Sequence, residues 1–284
     1  MTPTLVRQHR TPADETSRTD LGARARDWSE IQERMLVPLY ETVYERLEVG
    51  PATRLLGLGC GSGLALLMAA SRGAAVAGVE GGSPERLALA RERLLPEGTW
   101  HARAGTRLVA GPPRDAAAPD APLFTAVTAF EPIGCLAGDS EGLEELLASA
   151  TPLAERGAPV VLAGWGPPER CTTSSVLRVA AKLADPLRST GSWRPALRDD
   201  LEEVAQRAGL RPDGSGRVSC PFGYADLASA LKGLLSTGLF DAAIEATDRA
   251  QVDKELAEAV HPYRRQDGTV WMPNVFRYLI ARVP

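Results

Sequence analysis

The sequence predicts an α/β fold built on a doubly wound, mostly parallel β-sheet. Two observations support this class: short apolar runs alternate with helical stretches over the first 165 residues, and a glycine-rich turn follows the first apolar run. Strands that alternate with helices at this spacing form right-handed βαβ units, which leave the strands parallel and cover both faces of the sheet. The 284 residues, of which 44% are apolar and 24% charged, are enough to bury a sizeable core.

The first fifty residues divide into a polar tail and a helical segment. Residues 1–20 carry charges of both signs and lack the apolar core of a secretory signal, so we expect a disordered tail. Over residues 28–49, apolar side chains recur at helical spacing, which predicts an amphipathic helix with one buried face. Pro38 interrupts this pattern and predicts a kink or two short helices. We expect residues 21–50 to form a helical lid.

Strands and helices are predicted in order along the rest of the chain. Ser83 followed by Pro84 is a good helix start, because serine caps free N–H groups and proline fits the first turn. In the first half, strands are expected at residues 54–58, 74–79, 106–110, 124–130 and 159–163, with helices at 64–70, from 83 onward, and at 141–150. In the second half, helices are expected at 174–184, 199–208, 224–235 and 239–260, and strands at 217–222 and 275–283. The residues between these last two strands, 223–268, form an insertion that we expect to cap the sheet.

Composition and charge restrict the functional classes, and a nucleic-acid enzyme would need a local basic patch. A formal net charge of −4 gives no overall attraction to nucleic acid or to an anionic membrane. No window approaches 18 uninterrupted apolar residues, so no membrane-spanning helix is predicted. The four cysteines are far apart and form no CxxC pair, which predicts neither a metal site nor a disulfide scaffold and favours the reduced cytoplasm. We therefore expect a small-molecule substrate.

The glycine-rich turn carries the strongest functional signal. Between the first strand and the following helix, four glycines alternate with other residues: Gly57, Gly59, Gly61 and Gly63. Glycines let the backbone turn sharply and let a ligand approach, and the helix N-terminus offers free N–H groups to an anionic group. The G-x-G-x-x-G pattern fails in every register, and no Gly-Lys-Ser/Thr follows for a P-loop. A G-x-G-x-G pattern remains, and Glu80 ends the next strand, where a carboxylate can accept both hydroxyls of a ribose.

Residues 57–63 together with Glu80 resemble motif I and the acidic post-I position of class I S-adenosylmethionine-dependent methyltransferases. The similarity extends to the N-terminal helix and to residues 127–130, 141–150, 164–169 and 274–278. This resemblance implies a Rossmann-like sheet of seven strands, with an N-terminal helical segment and a helical lid insertion before the last strand. It implies a methyltransferase domain at residues 51–284, with S-adenosyl-L-methionine as cofactor and S-adenosyl-L-homocysteine as product.

The resemblance also implies roles for individual residues. The backbone of the glycine turn would line the methionine and ribose part of the cofactor, Glu80 would hold the ribose hydroxyls, and Phe130 with Glu131 would lie beside the sulfonium. Two positions depart from the family pattern: Gly57 stands where an acidic residue usually positions the cofactor's amino group, and residues 110–113 lack the acidic residue that often binds the adenine amino group. The cofactor-binding residues expected in this way are Gly57, Leu58, Gly59, Gly61, Gly63, Glu80, Gly81, Phe130 and Trp28.

Two residues are candidates for proton transfer. Glu131 follows the fourth strand and is equally well interpreted as a general base or as an exposed loop carboxylate. His261 ends the inserted helical segment, where an imidazole that titrates near neutral pH could remove a substrate proton, although the helix dipole explains this histidine equally well. Six aromatic residues could wall an apolar substrate cavity or belong to the core: Trp165, Trp193, Tyr224, Phe240, Tyr263 and Trp271.

The activity expected from the resemblance is methyl transfer to an O, N or C nucleophile of a small molecule, in specialised metabolism. Two alternatives stay open. One is a protein that keeps the fold and the cofactor pocket without transferring a methyl group, and the other is a methyltransferase that acts on RNA or protein. No nucleic acid, membrane or metal is expected as a partner, and the oligomeric state is left open, with a homodimer among the options.

Overall fold

The computed structural model describes residues 20–95, 106–118, 120–135, 138–184 and 200–284. The predicted tail therefore lies outside the described residues, except for Asp20. Within the described part the strands are β1 (Arg54–Leu58), β2 (Ala75–Val79), β3 (Arg107–Val109), β4 (Ala126–Ile133), β5 (Pro159–Trp165), β6 (Arg211–Ser219), β7 (Phe222–Tyr224), β8 (Val270–Met272) and β9 (Val275–Arg282).

Seven of these strands form one sheet in the order β3-β2-β1-β4-β5-β9-β6. The first five strands of this order pair in parallel, and β9 pairs antiparallel with both β5 and β6. The order reverses at β1, which lies between β2 and β4, and ligands of open α/β sheets bind at such a switch point. The predicted fold class, a mostly parallel Rossmann-like sheet of seven strands, is confirmed.

Helices cover both faces of this sheet. In the described residues the α-helices are α1 (Leu21–Asp27), α2 (Val37–Arg46), α3 (Leu64–Ser71), α4 (Pro84–Leu94), α5 (Leu143–Ala150), α6 (Thr173–Ala184), α7 (Asp200–Arg207), α8 (Leu227–Ser236), α9 (Asp241–Ala246) and α10 (Arg249–Val260). The predicted start of α4 is confirmed, since the Ser83 hydroxyl accepts a hydrogen bond from the Arg86 N–H and Pro84 opens the first turn. Among these described helices, none is long and apolar enough to cross a membrane.

Two hydrophobic cores lie on opposite faces of the sheet, because successive strand residues point to opposite sides. Leu55 packs into the core formed with α2, α3, α4, α6 and the inserted helices, whereas Leu56 and Leu58 pack into the core formed with α5 and α7. The insertion begins at β7 and ends at β8, and these two strands pair with each other in a small antiparallel sheet. The base of the insertion is therefore held by backbone hydrogen bonds.

Three predicted elements differ from the structure. The strand expected at 217–222 is two strands, because the polar edge strand β6 starts at Arg211 and is held by its ladder to β9, while β7 leaves the main sheet. The helix expected at 239–260 divides at Asp248, whose carboxylate accepts from the Gln251 N–H and caps a new helix. The helix expected at 28–49 is preceded by α1 and begins as a π-turn and a 3₁₀-turn, and Pro38 lies in the first turn of α2.

A buried polar cluster attaches the N-terminal segment to the sheet domain. We call Ser29, Glu33, Ser62 and Arg93 the Glu33 network. The Arg93 guanidinium donates to Glu33 Oε2 at 3.0 Å, to the Ser29 hydroxyl at 2.8 Å and to the Ser62 carbonyl at 2.9 Å. The Ser62 hydroxyl donates to the same Glu33 carboxylate, which is 2% exposed. The network therefore joins the N-terminal segment, the glycine turn and α4 at one point.

Electrostatics make this network sensitive to pH. Burial raises the pKa of Glu33 above its ordinary value, while the hydrogen bond from Ser62 and the charge of Arg93 oppose that shift. Because the raised folded-state pKa favours the neutral carboxyl, the stability linked to Glu33 is present at low pH and is lost as the pH rises through that pKa. The charge of Arg93 therefore stabilises the ionised form of the buried Glu33 carboxylate.

Replacing Arg93 with methionine tests this arrangement. The substitution keeps an unbranched side chain and removes its charge, so the free energy of unfolding at pH 7 should fall by about 3 kcal/mol, the scale for breaking a buried ion pair. The loss should shrink as the pH is lowered through the raised pKa of Glu33, because the carboxyl then takes up a proton. Urea unfolding at several pH values measures both effects.

Arg249→Met is the matched control, because Arg249 forms an exposed ion pair with Asp253 one helical turn away. An exposed pair of this kind contributes about 0.3–0.5 kcal/mol. A loss in Arg93→Met as small as in the control, or one that does not change with pH, would contradict the role given to Glu33.

Candidate functional site

A cavity of about 310 Å³ opens at the carboxyl ends of β1 and β4, at the switch point of the sheet. Its volume is at the lower end of the range for small-molecule sites. The lining comes from the glycine turn, from the ends of β2, β4 and β5, from the N-terminal segment and from the insertion. The lining residues used below are Trp28, Glu33, Tyr40, Gly57, Leu58, Gly59, Cys60, Gly61, Glu80, Arg86, Thr128, Phe130, Glu131, Trp165, Phe222, Thr237, Leu239 and Phe276.

The glycine turn forms one wall of this cavity. Gly59 and Gly61 have φ angles of +60° and +55°, in the left-handed region that favours glycine. A Cβ atom on Gly61 would lie 2.4 Å from the ring of Trp28, so the indole packs directly on the turn. Gly63, with φ +80°, precedes α3 and faces Ala90 of α4 instead of the cavity. Of the predicted glycines, Gly63 therefore shapes the turn without lining the site.

Glu80 holds the turn in place. Its carboxylate is 6% exposed and accepts hydrogen bonds from the N–H groups of Gly61 at 2.8 Å, Gly82 at 2.9 Å and Ser83 at 3.1 Å. The side chain at the end of β2 is thereby tied to the turn after β1 and kept at the cavity wall. Gly81, predicted with Glu80, is exposed and is not part of the lining.

The packing of α3 on β1 explains why Gly57 carries no side chain. A Cβ atom at this position would lie 2.9 Å from Leu66 Cδ2 and 3.6 Å from Cys60 Cβ. Leu66 therefore fills the space that an acidic side chain would need at this point. The same burial raises the pKa of the Cys60 thiol to about 12, which makes it a packing residue and a poor nucleophile.

Arg86 is a cavity residue that the sequence did not single out. Its guanidinium lies 3.9 Å from the centroid of the Trp28 ring, a cation–π distance. Burial lowers the pKa of Arg86, while the charges of Glu131 and Glu80 oppose that shift. Arg86 also donates to the Ser236 carbonyl at 3.4 Å, so it joins the N-terminal segment and the insertion. An arginine in the first turn of a helix looks solvent-exposed in the sequence, and no local pattern distinguishes this one.

Glu131 lies at the end of β4, against the glycine turn. A Cβ atom on Gly59 would be 3.5 Å from Glu131 Oε2, so this solvent-exposed residue places its carboxylate beside the turn and in the lining of the cavity. Burial raises the pKa of Glu131, the charge of Arg86 lowers it, and the charge of Glu80 raises it further. A carboxyl group whose pKa is raised above its ordinary value is better suited to accept a proton.

Aromatic side chains form the wall away from the glycine turn. Trp165 lies 4.6 Å from Phe276 and 6.0 Å from Phe222, measured between ring centroids, and Phe130 lies 4.8 Å from Tyr40. Of the six aromatic residues considered in the sequence, Trp165 is the one that the described structure places in the lining. Tyr224 and Phe240 belong to the core, Tyr263 packs partly buried against it, Trp271 is exposed, and Trp193 lies outside the described residues.

His261 is not brought to the cavity. It is exposed, in a 3₁₀-turn after α10, and it is not among the lining residues. The buried face of α10 consists of Val252, Leu256 and Val260, and the next residue turns away from that face. The expectation that His261 meets the site is corrected here, and Glu131 is the predicted proton-transfer residue that the fold places in the cavity.

Comparison with models of protein families and with curated proteins finds no match to the chain. Solved structures do match its fold. A SAM-dependent methyltransferase from Thiobacillus denitrificans, determined with S-adenosyl-L-homocysteine, matches with a TM-score of 0.54 and 15% identity over 93% of this chain and 99% of that one. YjhP from E. coli matches with a TM-score of 0.52 and 20% identity over 93% of this chain and 100% of that one.

A third match has a different activity. The [4+2]-cyclase SpnF is similar with a TM-score of 0.50 and 17% identity over 87% of this chain and 80% of that one. At these identities the likeness concerns the fold. The sheet order, the glycine turn and the matched structures agree, and the chain has the fold of class I S-adenosylmethionine-dependent methyltransferases.

Proposed function

We propose that this protein binds S-adenosyl-L-methionine and transfers its methyl group to a nucleophile of a small molecule. The observation that carries the proposal is the Glu80 carboxylate, which three backbone N–H groups fix at the cavity wall beside the glycine turn. With three of its roughly four lone-pair sites occupied, two on Oε1 and one on Oε2, this carboxylate keeps one site on Oε2 to which a ribose hydroxyl can donate.

The cofactor would lie across the turn between β1 and β4. The backbone of Gly57, Leu58, Gly59 and Gly61 would face its methionine part, Glu80 its ribose, and Phe130 the region of the sulfonium. Trp28, packed on Gly61 and stacked with Arg86, would close one side of this position. Gly63 would contribute by holding the turn against α4, as described above.

The bound cofactor would supply a methyl group already activated by a positive sulfur, so that direct displacement by a nucleophile needs mainly correct positioning. Positioning of this kind contributes about 7–11 kcal/mol to lowering a barrier. Glu131, beside the glycine turn and with a raised pKa, would accept the proton of a substrate hydroxyl or amine.

Residues 21–50 would act as a lid and residues 223–268 as a cap. Trp28 and Tyr40 of the first segment and Thr237 and Leu239 of the second line the cavity. Both segments would have to move when ligands enter, and their closure would exclude water from the reacting groups.

A second candidate function is a cofactor-binding protein of this fold without methyl transfer. It is favoured by the similarity to the cyclase SpnF and by the packing that leaves no room for an acidic side chain at Gly57. A substrate made of RNA receives no comparable support, since the net charge is −4 and the described cavity lining holds a single arginine, Arg86.

Calorimetry with S-adenosyl-L-homocysteine tests the cofactor site. Glu80→Ala should raise the Kd about ten- to a hundredfold, because one hydrogen bond to a charged group is lost at about 1.5–3 kcal/mol. Glu92→Ala, an exposed substitution on α4, should leave the Kd unchanged. Urea unfolding of both variants shows whether the fold is retained. An unchanged Kd in Glu80→Ala would refute the ribose position, and a wild-type protein that binds no cofactor would refute the proposed function.

Glu131→Gln tests whether the Glu131 carboxylate lies near the sulfonium of the bound cofactor. The methionine form of the cofactor carries a positive sulfur and the homocysteine form does not. The variant should therefore lose affinity for S-adenosyl-L-methionine about tenfold and retain its affinity for S-adenosyl-L-homocysteine. Glu141→Gln, an exposed substitution outside the cavity, is the control.

In the wild-type protein, the preference for S-adenosyl-L-methionine over S-adenosyl-L-homocysteine should depend on pH. Because the pKa of Glu131 is raised, the preference for the charged ligand should be full above that pKa and should fall as the pH is lowered through it. The glutamine variant should show no such change in calorimetry. If the variant instead lost affinity for both ligands equally, the carboxylate would lie at the amino group that the two ligands share.

A further inference from the structure

Two buried hydroxyl groups line the cavity without a hydrogen-bond partner in the described part of the chain. They belong to Tyr40, which is 4% exposed, and Thr128, which is 2% exposed. Among the other buried tyrosines, the Tyr44 hydroxyl donates to the Ala65 carbonyl at 2.9 Å and the Tyr224 hydroxyl to Gln32 Oε1 at 3.1 Å, whereas Tyr278, which is 5% exposed and does not line the cavity, has no hydrogen-bond partner among the described residues. Buried polar groups in folded proteins nearly always have a partner, so these two hydroxyls mark positions for polar atoms of a ligand.

Both hydroxyls lie near Phe130, where the aromatic wall of the cavity begins. The ring of Tyr40 is 4.8 Å from Phe130, and Thr128 precedes Phe130 by two residues on the same face of β4. The ionisable groups that face Tyr40 are Glu33, Tyr44, Cys220 and Glu131, and two of them, Glu33 and Glu131, lie at the glycine turn. Tyr40 therefore lies between the charged groups at the glycine turn and the aromatic wall, beside Phe130.

Charge is distributed unevenly around the cavity. Glu33, Glu80, Arg86 and Glu131 are gathered at the glycine turn, where they contact the turn or each other. Asp139 also lines the cavity, but its carboxylate accepts from the N–H groups of Gly134 and Cys135. The opposite wall is aromatic, and a charged group placed against it would lose hydration without compensation.

We propose that the aromatic side of the cavity binds an uncharged, largely apolar aromatic acceptor, and that Tyr40 selects it by a hydrogen bond to one hydroxyl or carbonyl oxygen. This inference rests on the proposed function and assigns the substrate class of the same site. Burial raises the pKa of Tyr40 well above its ordinary value, so the phenol stays protonated and donates. Thr128 provides a second hydroxyl on the same face, and Tyr40 acts as a specificity-determining residue.

A pair of matched probes tests the role of Tyr40. Naphthalene and 2-naphthol differ by one hydroxyl, and their binding to the full-length protein is measured by calorimetry with and without saturating S-adenosyl-L-homocysteine. The ratio of the naphthalene Kd to the 2-naphthol Kd should fall about tenfold in Tyr40→Phe, which corresponds to the loss of one hydrogen bond in a buried site. The Kd of S-adenosyl-L-homocysteine should be unchanged in this variant.

Tyr44→Phe is the matched control, because Tyr44 lies one turn further along α2, is fully buried and does not line the cavity. It should leave the probe ratio unchanged and lower the free energy of unfolding through loss of its bond to Ala65, whereas Tyr40→Phe should not destabilise the protein. Thr128→Val, a variant of similar shape, should lower the same ratio in the same direction as Tyr40→Phe.

The outcomes separate this inference from the proposed function. An unchanged probe ratio in Tyr40→Phe, or a protein that binds neither probe, would overturn the assignment of the substrate class even if the cofactor binds. A protein that binds no cofactor would overturn the proposed function alone, since the probe ratio in the absence of cofactor still decides the role of Tyr40.

Discussion

The contact between the Glu80 carboxylate and three backbone N–H groups is the interaction on which the rest of the site depends. Gly61 belongs to the turn after β1, whereas Gly82 and Ser83 lead into α4, so one side chain joins the carboxyl ends of two neighbouring strands. Hydrogen bonds to an ionised acceptor are stronger than bonds between neutral groups. They keep the glycine turn in the conformation that the cavity requires.

The N-terminal segment is placed on this turn by buried charges. A buried ion pair contributes little net stability, because the cost of removing both charges from water offsets their attraction. The Glu33 network therefore matters for position: it sets Trp28 against Gly61 on one side of Glu33 and Tyr40 against Phe130 on the other. The same network therefore fixes the positions of the two aromatic residues, Trp28 and Tyr40, through which the N-terminal segment lines the cavity.

The cavity combines a charged end and an aromatic wall, a division that the proposed transfer from a cationic donor to an apolar acceptor would use. The charged groups lie at the glycine turn, and the aromatic rings of Trp165, Phe222 and Phe276 lie opposite. The fold alone does not decide the reaction, since a methyltransferase and a cyclase both match it. The side chains that meet in the cavity therefore decide the chemistry.

The sequence by itself determined the fold class, most element positions, and the turn of Gly59 and Gly61 with its partner Glu80, because hydrophobic periodicity, capping and glycine spacing are local properties. It did not indicate the full length of β6, which is held by a ladder to β9 and not by a buried face. Only the tertiary structure decided that Tyr40 meets the cavity and that His261 does not. Each lies on or beside a helix, and the packing of that helix against distant parts of the chain selects which of its faces reaches the site.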